Sequence, residues 1–95
     1  MKKYETLFVL NPSLDEEAIK ANIEKFKGII EQDGTVTNVD EWGKRRLAYE
    51  INDLTEGYYV LINFEANPEL PKELDRIFRI SDTILRHLII NLEEK

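Results

Sequence analysis

The sequence predicts an α+β fold in which two helices cover one face of a four-stranded antiparallel sheet. Three observations lead to this prediction. Segments with the alternation of strands and segments with the spacing of helices follow one another in the order β-α-β-β-α-β. The chain has 95 residues, a common length for one domain. Its apolar content of 42% is enough to build a core, so we expect a single domain over residues 1–95.

The first strand and the first helix carry the clearest local signals. Tyr4–Leu10 is rich in aromatic and β-branched residues and predicts a strand. Ser13 and Glu16 have the spacing of a capping box, which predicts the start of a helix. Asp33-Gly34 predicts its end. The apolar side chains between these points recur with helical spacing, at Ile19, Ile23, Phe26 and Ile30.

The middle of the chain predicts a hairpin. Thr35–Ile51 has strand composition but is too long for one ordinary strand. Gly43, near its centre, therefore predicts a bulge or bend. We expect a polar turn over Asn52–Gly57 that leads into a third strand over Tyr58–Glu65.

A second helix and a last strand complete the pattern. Asn67-Pro68 and Pro71 mark the helix start, and Ser81-Asp82 marks its end. Ile84–Leu92 predicts the final strand, and residues 93–95 form a short charged tail. The helix presents its apolar side chains at Leu70, Leu74, Ile77 and Phe78.

This order is the split βαβ pattern of the ferredoxin-like fold, in which both helices lie on one face of the sheet. The first and third strands then lie in the middle, and the other face stays open. Because both faces of the last strand are apolar, the sequence leaves open whether His87 or Arg86 faces the helices. The open face of the central strands carries apolar side chains that are either a partner surface or ordinary exposed hydrophobes, namely Leu7, Val9, Tyr59 and Leu61.

The composition disfavours enzymes, and we expect no catalytic residue, metal site or cofactor. The chain has no Cys, which excludes thiol catalysis and most zinc sites. The only His, His87, stands among apolar residues without a nucleophile motif nearby. Acylphosphatases share the topology, but no Gly-rich anion-binding loop with an Arg follows the first strand.

The net charge of −6 argues at first against nucleic acid and anionic membranes as partners. The positive charges are nevertheless concentrated in residues 1–13, 42–52 and 76–92. A basic stripe on an acidic body can meet phosphates, whereas three adjacent cations on an edge strand can also serve only to prevent strand pairing. An RRM uses the same topology, but Val60 and Asn63 stand where its third strand requires aromatic residues. No segment is long and apolar enough to span a membrane.

The segment Trp42–Ile51, WGKRRLAYEI, resembles the signature of the bacterial small-subunit (30S) ribosomal protein S6 family. The resemblance extends over the whole chain, with further marks at Tyr4-Glu5, Asn11-Pro12, Gly57-Tyr58 and Ile80-Ser81-Asp82 through Arg86. It implies a ferredoxin-like structural constituent of the small ribosomal subunit, located in the cytoplasm and without enzymatic activity. It also implies binding to the central domain of small-subunit ribosomal RNA together with ribosomal protein S18, which is basic.

On this interpretation two groups of residues are candidates for binding. The RNA-facing candidates are Lys2, Lys3, Tyr4, Lys44, Arg45, Arg46, Arg86 and, less strongly, Arg79, because helix positions often form surface ion pairs. The predicted orientation of side chains away from the helices gives the candidates for contact with a partner protein, which are Leu7, Val9, Trp42, Tyr59 and Leu61. The acidic balance predicts dependence on a basic partner, and we expect a monomer when the chain is free. The alternative function is a ferredoxin-like module for oligomerisation or small-ligand sensing.

Overall fold

The computed structural model describes residues 1–51 and 53–93 and confirms the predicted order of elements. The sheet order is β2-β3-β1-β4 and all neighbours are antiparallel, so the first and third strands are central as predicted. The elements are β1 (Lys2–Leu10), α1 (Glu16–Asp33), β2 (Gly34–Ile51), β3 (Leu54–Ala66), α2 (Glu69–Ile80) and β4 (Ile84–Asn91).

The core lies between the two helices and one face of the sheet. The buried residues of α1 are the predicted Ile19, Ile23, Phe26 and Ile30. Phe8 of β1, Phe26 of α1 and Phe78 of α2 meet with ring centroids between 4.7 and 5.3 Å apart. Tilted ring pairs at this distance add to the stabilisation from burial itself. Among the described residues, neither helix is long and apolar enough to cross a membrane.

The start of α1 differs from the predicted capping box. Asp15 is the N-cap, because its side-chain Oδ1 accepts a hydrogen bond of 2.8 Å from the backbone N–H of Ala18. The Ser13 hydroxyl instead donates to Oδ1 of Asn11, at 2.7 Å, within the turn that follows β1. Glu16 is the first helical residue, so it cannot be the distant member of a box that starts at Ser13.

The hairpin between β2 and β3 is longer than the sequence predicts. β3 begins at Leu54, so the turn predicted over Asn52–Gly57 is wrong from Leu54 onward, and Asn52 lies outside the described residues. The bulge predicted at Gly43 is confirmed, since the register shifts between Glu41 and Gly43. Gly43 has φ +79, a left-handed conformation that a glycine adopts without steric cost.

The register of β4 decides which of its side chains face the helices. His87 lies opposite Phe8, and Arg86 lies opposite Val9. Because residues opposite one another in a sheet share a face, His87 points toward the helices and Arg86 toward the open face. Nε2 of His87 lies 2.6 Å from Oδ1 of Asp75 on α2, so His87 connects the last strand to the second helix.

The end of the chain is tied to the start of β1. The predicted final strand ends at Asn91 rather than Leu92. The backbone N–H of Leu92 still donates to the carbonyl of Lys3 at 2.9 Å. The backbone N–H of Lys3 donates to Oε2 of Glu93 at 2.7 Å. The other two residues of the predicted charged tail, Glu94 and Lys95, lie outside the described residues.

Candidate nucleic-acid and partner interface

Basic residues from two distant parts of the sequence lie at one end of the sheet, on its two edge strands. On β2, Lys44 lies opposite Tyr58 and Arg45 lies opposite Gly57 of β3. On β4, Arg86 lies opposite Val9 of β1, and Val9 lies opposite Tyr59 of β3. All these cations are exposed. We call this region the cationic end, defined by Lys44, Arg45, Arg46 and Arg86.

Ion pairing separates the cationic end from the cations of α2. Arg76 forms a salt bridge with Glu73, and Arg79 forms one with Asp75. Over residues 1–51 and 53–93, no carboxylate forms a salt bridge with a cation of the cationic end. The charge of Arg79 is therefore neutralised on the helical side. The charges of the cationic end remain available to a phosphate.

Tyr49 is a further candidate for this site, and the sequence alone did not single it out. The guanidinium carbon of Arg86 lies 5.2 Å from the centre of the Tyr49 ring, a cation–π distance. Tyr49 is 60% exposed, so it does not serve the core. The available signal was the alternation of Leu47 and Tyr49, which places both side chains on one face of β2.

A flat aromatic surface adjoins the cationic end. The rings of Trp42 and Tyr59 are nearly parallel, at 10°, with centroids 6.2 Å apart. The indole N–H of Trp42 donates to Oδ2 of Asp40 at 3.0 Å, which fixes the ring orientation. Leu7 and Leu61 lie half-buried beside Tyr59, opposite one another on the open face. Such a surface can accept a stacked base or an apolar side chain of a partner protein.

Two predicted site residues do not lie on the surface expected for them. Val9 is only 4% exposed, because Gly57 has no side chain and leaves room for Val9 and Leu47 to pack together. Val9 is therefore closed to a partner. Tyr4 is only 5% exposed, and its ring stacks on Phe64 at a centroid distance of 5.5 Å. Tyr4 faces the helices, so its ring is part of the core.

The N-terminal lysines form a separate basic cluster. Lys2 lies opposite Ala66 and Lys3 opposite Glu65, near the start of β1. On β1, the residue opposite Arg86 is Val9, which lies six residues after Lys3. At roughly 3.3 Å per residue, the two clusters are about 20 Å apart. The basic residues therefore do not form the single stripe that the segment charges predicted.

The one histidine belongs to a structural contact. The hydrogen bond from His87, and then the one from Arg79, hold the pKa of the Asp75 carboxyl below its usual value. The ring of His87 also lies 5.1 Å from that of Phe78 in the core. In the described part of the chain, no group of three or more His, Cys, Asp or Glu side chains could hold a metal ion.

Comparisons with known proteins agree with this architecture. Residues 3–91 match the family model described as Ribosomal protein S6. The chain is 70% identical over 92 residues to the small ribosomal subunit protein bS6 of Clostridium beijerinckii, covering 96% of this chain and 97% of that one. It is 67% identical over 94 residues to the protein of the same name from Clostridium botulinum, covering 98% and 100%. A crystal structure of 30S ribosomal protein S6 from Thermotoga maritima matches with a TM-score of 0.90 at 32% identity, covering 95% of this chain and 86% of that one.

Proposed function

The chain belongs to the ribosomal protein S6 family, and on that premise we propose that it binds the central domain of small-subunit ribosomal RNA together with ribosomal protein S18. Membership places it in the small ribosomal subunit, in the bacterial cytoplasm. The family consists of structural ribosomal proteins and is not an enzyme family. The proposal therefore concerns binding surfaces alone.

The observation that supports RNA binding best is the group of exposed cations at the cationic end, which form no salt bridge within residues 1–51 and 53–93. They lie at the same end of the sheet on its two edge strands, β2 and β4, whereas Arg76 and Arg79 of α2 form ion pairs. Arg45, Arg46 and Arg86 carry planar guanidinium groups that can bind a phosphate through two parallel hydrogen bonds. We assign the main phosphate contacts to this end and a separate, smaller contribution to Lys2 and Lys3.

The partner protein is proposed for a different reason. A chain of net charge −6 has few free cations, so its own attraction to RNA is weak. A basic partner both adds positive charge to the complex and is attracted by the acidic surface of this chain. We propose that S18 contacts the open face at its apolar and aromatic side chains, which are Leu7, Trp42, Tyr59 and Leu61.

The RNA contacts can be tested by matched charge variants. In the presence of S18, we expect the chain to bind a central-domain RNA fragment tightly. The binding constant K, measured by calorimetry, should fall as the salt concentration rises. Each lost phosphate contact reduces the slope of log K against log salt by about 0.7–0.9. The test variant is Lys44→Gln, Arg45→Gln and Arg46→Gln combined, and the control of equal net charge is Lys20→Gln, Lys25→Gln and Arg76→Gln combined.

The two variants should differ in their effect on RNA binding. The triple change at the cationic end should lower the salt slope by about two to three and weaken binding at every salt concentration. The control lies on the helices and should leave the slope within about 0.5 of the original. An equal loss in both variants would mean that only total charge matters, which contradicts the assigned site.

The partner requirement has its own test. We expect RNA binding without S18 to be weak and to become tight when S18 is added. Leu61→Glu places a charge in the apolar surface and should reduce binding of S18 to the free chain. Tight RNA binding without S18, or none with it, contradicts the proposal. Sedimentation of the free chain at micromolar concentration should show a monomer, whereas a stable dimer favours the oligomerisation alternative.

A further inference from the structure

The β2–β3 hairpin extends beyond the other two strands at the cationic end. β1 ends at Leu10, which lies opposite Tyr58 of β3. β2 and β3 continue to pair past this level, to the end of the hairpin. We call this extension, residues 45–51 and 53–57, the arm. Because a two-stranded hairpin is only marginally stable in water by itself, the arm depends on contacts with the rest of the chain.

One buried side chain connects the arm to the sheet. In the described part of the arm, Leu47 is the only side chain that is buried, at 8% exposure. It lies over Gly57 together with Val9 of β1, because both side chains come within 3.3 Å of the position that a Cβ of Gly57 would take. Neither Leu47 nor Val9 belongs to the core between the helices and the sheet. This small contact therefore lies on the open face, and it holds only the base of the arm.

A second contact crosses the open face from one edge of the sheet to the other. Tyr49 belongs to β2 and Arg86 to β4, and β3 and β1 lie between these strands. In a flat sheet the two edge strands would be about 14 Å apart. The guanidinium carbon of Arg86 nevertheless lies 5.2 Å from the centre of the Tyr49 ring. The pair therefore joins the outer part of the arm to the far edge of the sheet.

This contact has the character of a cation–π interaction rather than of core packing. The Tyr49 ring is 60% exposed, so burial alone does not fix its position. Arg86 is exposed as well, and within residues 1–51 and 53–93 it forms no salt bridge that would draw it away. At an exposed site such a pair shifts an equilibrium about two- to fivefold. A guanidinium over a ring keeps the N–H donors at its edge free for a phosphate.

We propose that Tyr49 is a positioning residue for the cationic end, because its ring and the guanidinium of Arg86 hold the arm in the orientation that RNA requires. The arm carries Arg45 and Arg46, and Arg86 lies at the opposite edge of the sheet. Fixing these cations relative to one another before binding reduces the conformational freedom that is lost in the complex. The effect on RNA rests on the proposed function, whereas the order of the arm can be measured in the free chain.

Amide hydrogen exchange of the free chain, followed by NMR, measures the order of the arm. The readout is the hydrogen-bonded amides among residues 54–57, which are not sequence neighbours of the changed side chains. Tyr49→Leu and Arg86→Gln should each speed the exchange of these amides about two- to fivefold, and the combined variant should not exceed either one. Tyr49→Phe keeps the ring and should exchange like the original chain. Arg76→Gln removes a cation from α2 and is the matched control for Arg86→Gln.

RNA binding is then compared in the presence of S18, with a central-domain RNA fragment. Tyr49→Leu changes no charge, so it should lower the binding constant about two- to fivefold and leave the slope of log K against log salt within about 0.5 of the original. Tyr49→Phe should keep the binding constant of the original chain. In the Arg86→Gln background, Tyr49→Leu should have no further effect, because the contact that it removes is already gone. This dependence on Arg86 separates positioning from a direct contact between the ring and RNA.

Four results would overturn the proposal. They are unchanged exchange of the arm in Tyr49→Leu, faster exchange or weaker binding in Tyr49→Phe, unchanged RNA binding by Tyr49→Leu, and a loss of binding by Tyr49→Leu that persists in the Arg86→Gln background. The last result would mean that the ring contacts RNA directly. If the original chain binds no RNA even with S18, the proposed function is contradicted together with the RNA part of this proposal. The exchange measurement then still decides whether Arg86 and Tyr49 hold the arm.

Discussion

Replacing Gly57 with alanine tests the packing that forms the cationic end of the sheet. Gly57 lies on β3 opposite Arg45, and two side chains occupy the space above it. A Cβ atom at this position would lie 2.2 Å from Cγ1 of Val9 and 3.3 Å from Cδ2 of Leu47. The distance to Val9 is far below ordinary carbon–carbon contact, which is about 3.5–4.0 Å.

The size of the effect follows from these contacts. Val9 is 4% exposed and Leu47 is 8% exposed, so neither side chain can turn freely into solvent. Overpacking of this kind costs about 1–3 kcal/mol. Alanine recovers about 0.5–1 kcal/mol because glycine loses more backbone freedom on folding. We therefore expect Gly57→Ala to lower the free energy of unfolding by about 1–2 kcal/mol, as the balance of these two effects.

A double variant separates the clash from other causes. Val9→Ala removes two methyl groups and should cost about 2 kcal/mol alone. Combined with Gly57→Ala, it also removes the clashing Cγ1 atom, so the new methyl group fills part of the space that Val9 leaves. The double variant should be more stable than the sum of the single effects predicts, by about 1–2 kcal/mol.

The assay is urea unfolding at pH 7, followed by circular dichroism. Gly28→Ala is the control, because a Cβ at Gly28 in the exposed part of α1 meets nothing within 4 Å. The control should raise stability by about 0.5–1 kcal/mol, since alanine favours a helix over glycine. A Gly57→Ala chain as stable as the original, or strictly additive effects in the double variant, would refute the packing argument.

Three further predictions concern the helices. Because Asp15 caps α1, Asp15→Ala should lower the free energy of unfolding by about 1 kcal/mol. Ser13→Ala should leave it nearly unchanged, and urea unfolding of both variants tests this difference. Phe26→Ala, at a fully buried ring, should cost about 3–5 kcal/mol, and a thermal unfolding midpoint near that of the original chain would contradict this. The lowered pKa of Asp75 means that its contribution to stability is present above the unfolded pKa of about 3.9 and is lost as the pH falls through the lower folded value. Asp75→Asn should therefore be less stable than the original at pH 7, and the difference should disappear toward pH 2 in urea unfolding measured as a function of pH.

Local patterns predicted most of the fold. The apolar spacing of α1 identified its buried face, because helical periodicity is a property of neighbouring residues. The bulge at Gly43 was predicted for the same kind of reason, since a single glycine within a long strand indicates a local change of backbone. The start of α1 was predicted wrongly, because both Ser13 and Asp15 satisfy the local rule for an N-cap and only the folded turn selects between them.

Long-range pairing decided what local patterns left open. The polar composition of residues 52–57 as a whole indicates a turn, yet β2 continues far enough to pair with residues 54–57 in a longer hairpin. The sequence of β4 is apolar on both faces, so no local signal orients it. Its register with β1 and the contact between His87 and Asp75 turn Arg86 to the open face.

For the candidate site, the sequence determined which residues carry charge and which family the signature resembles. It did not determine where the charges stand relative to one another. Coulombic interaction depends on distance and solvent exposure, and both are set by tertiary contacts. The tertiary structure shows that Arg79 is paired with Asp75 and that Tyr4 is buried. It also shows that Lys2 and Lys3 lie about 20 Å from the cationic end. The same folding brings Arg86 beside Tyr49, a contact between distant residues that no local pattern encodes.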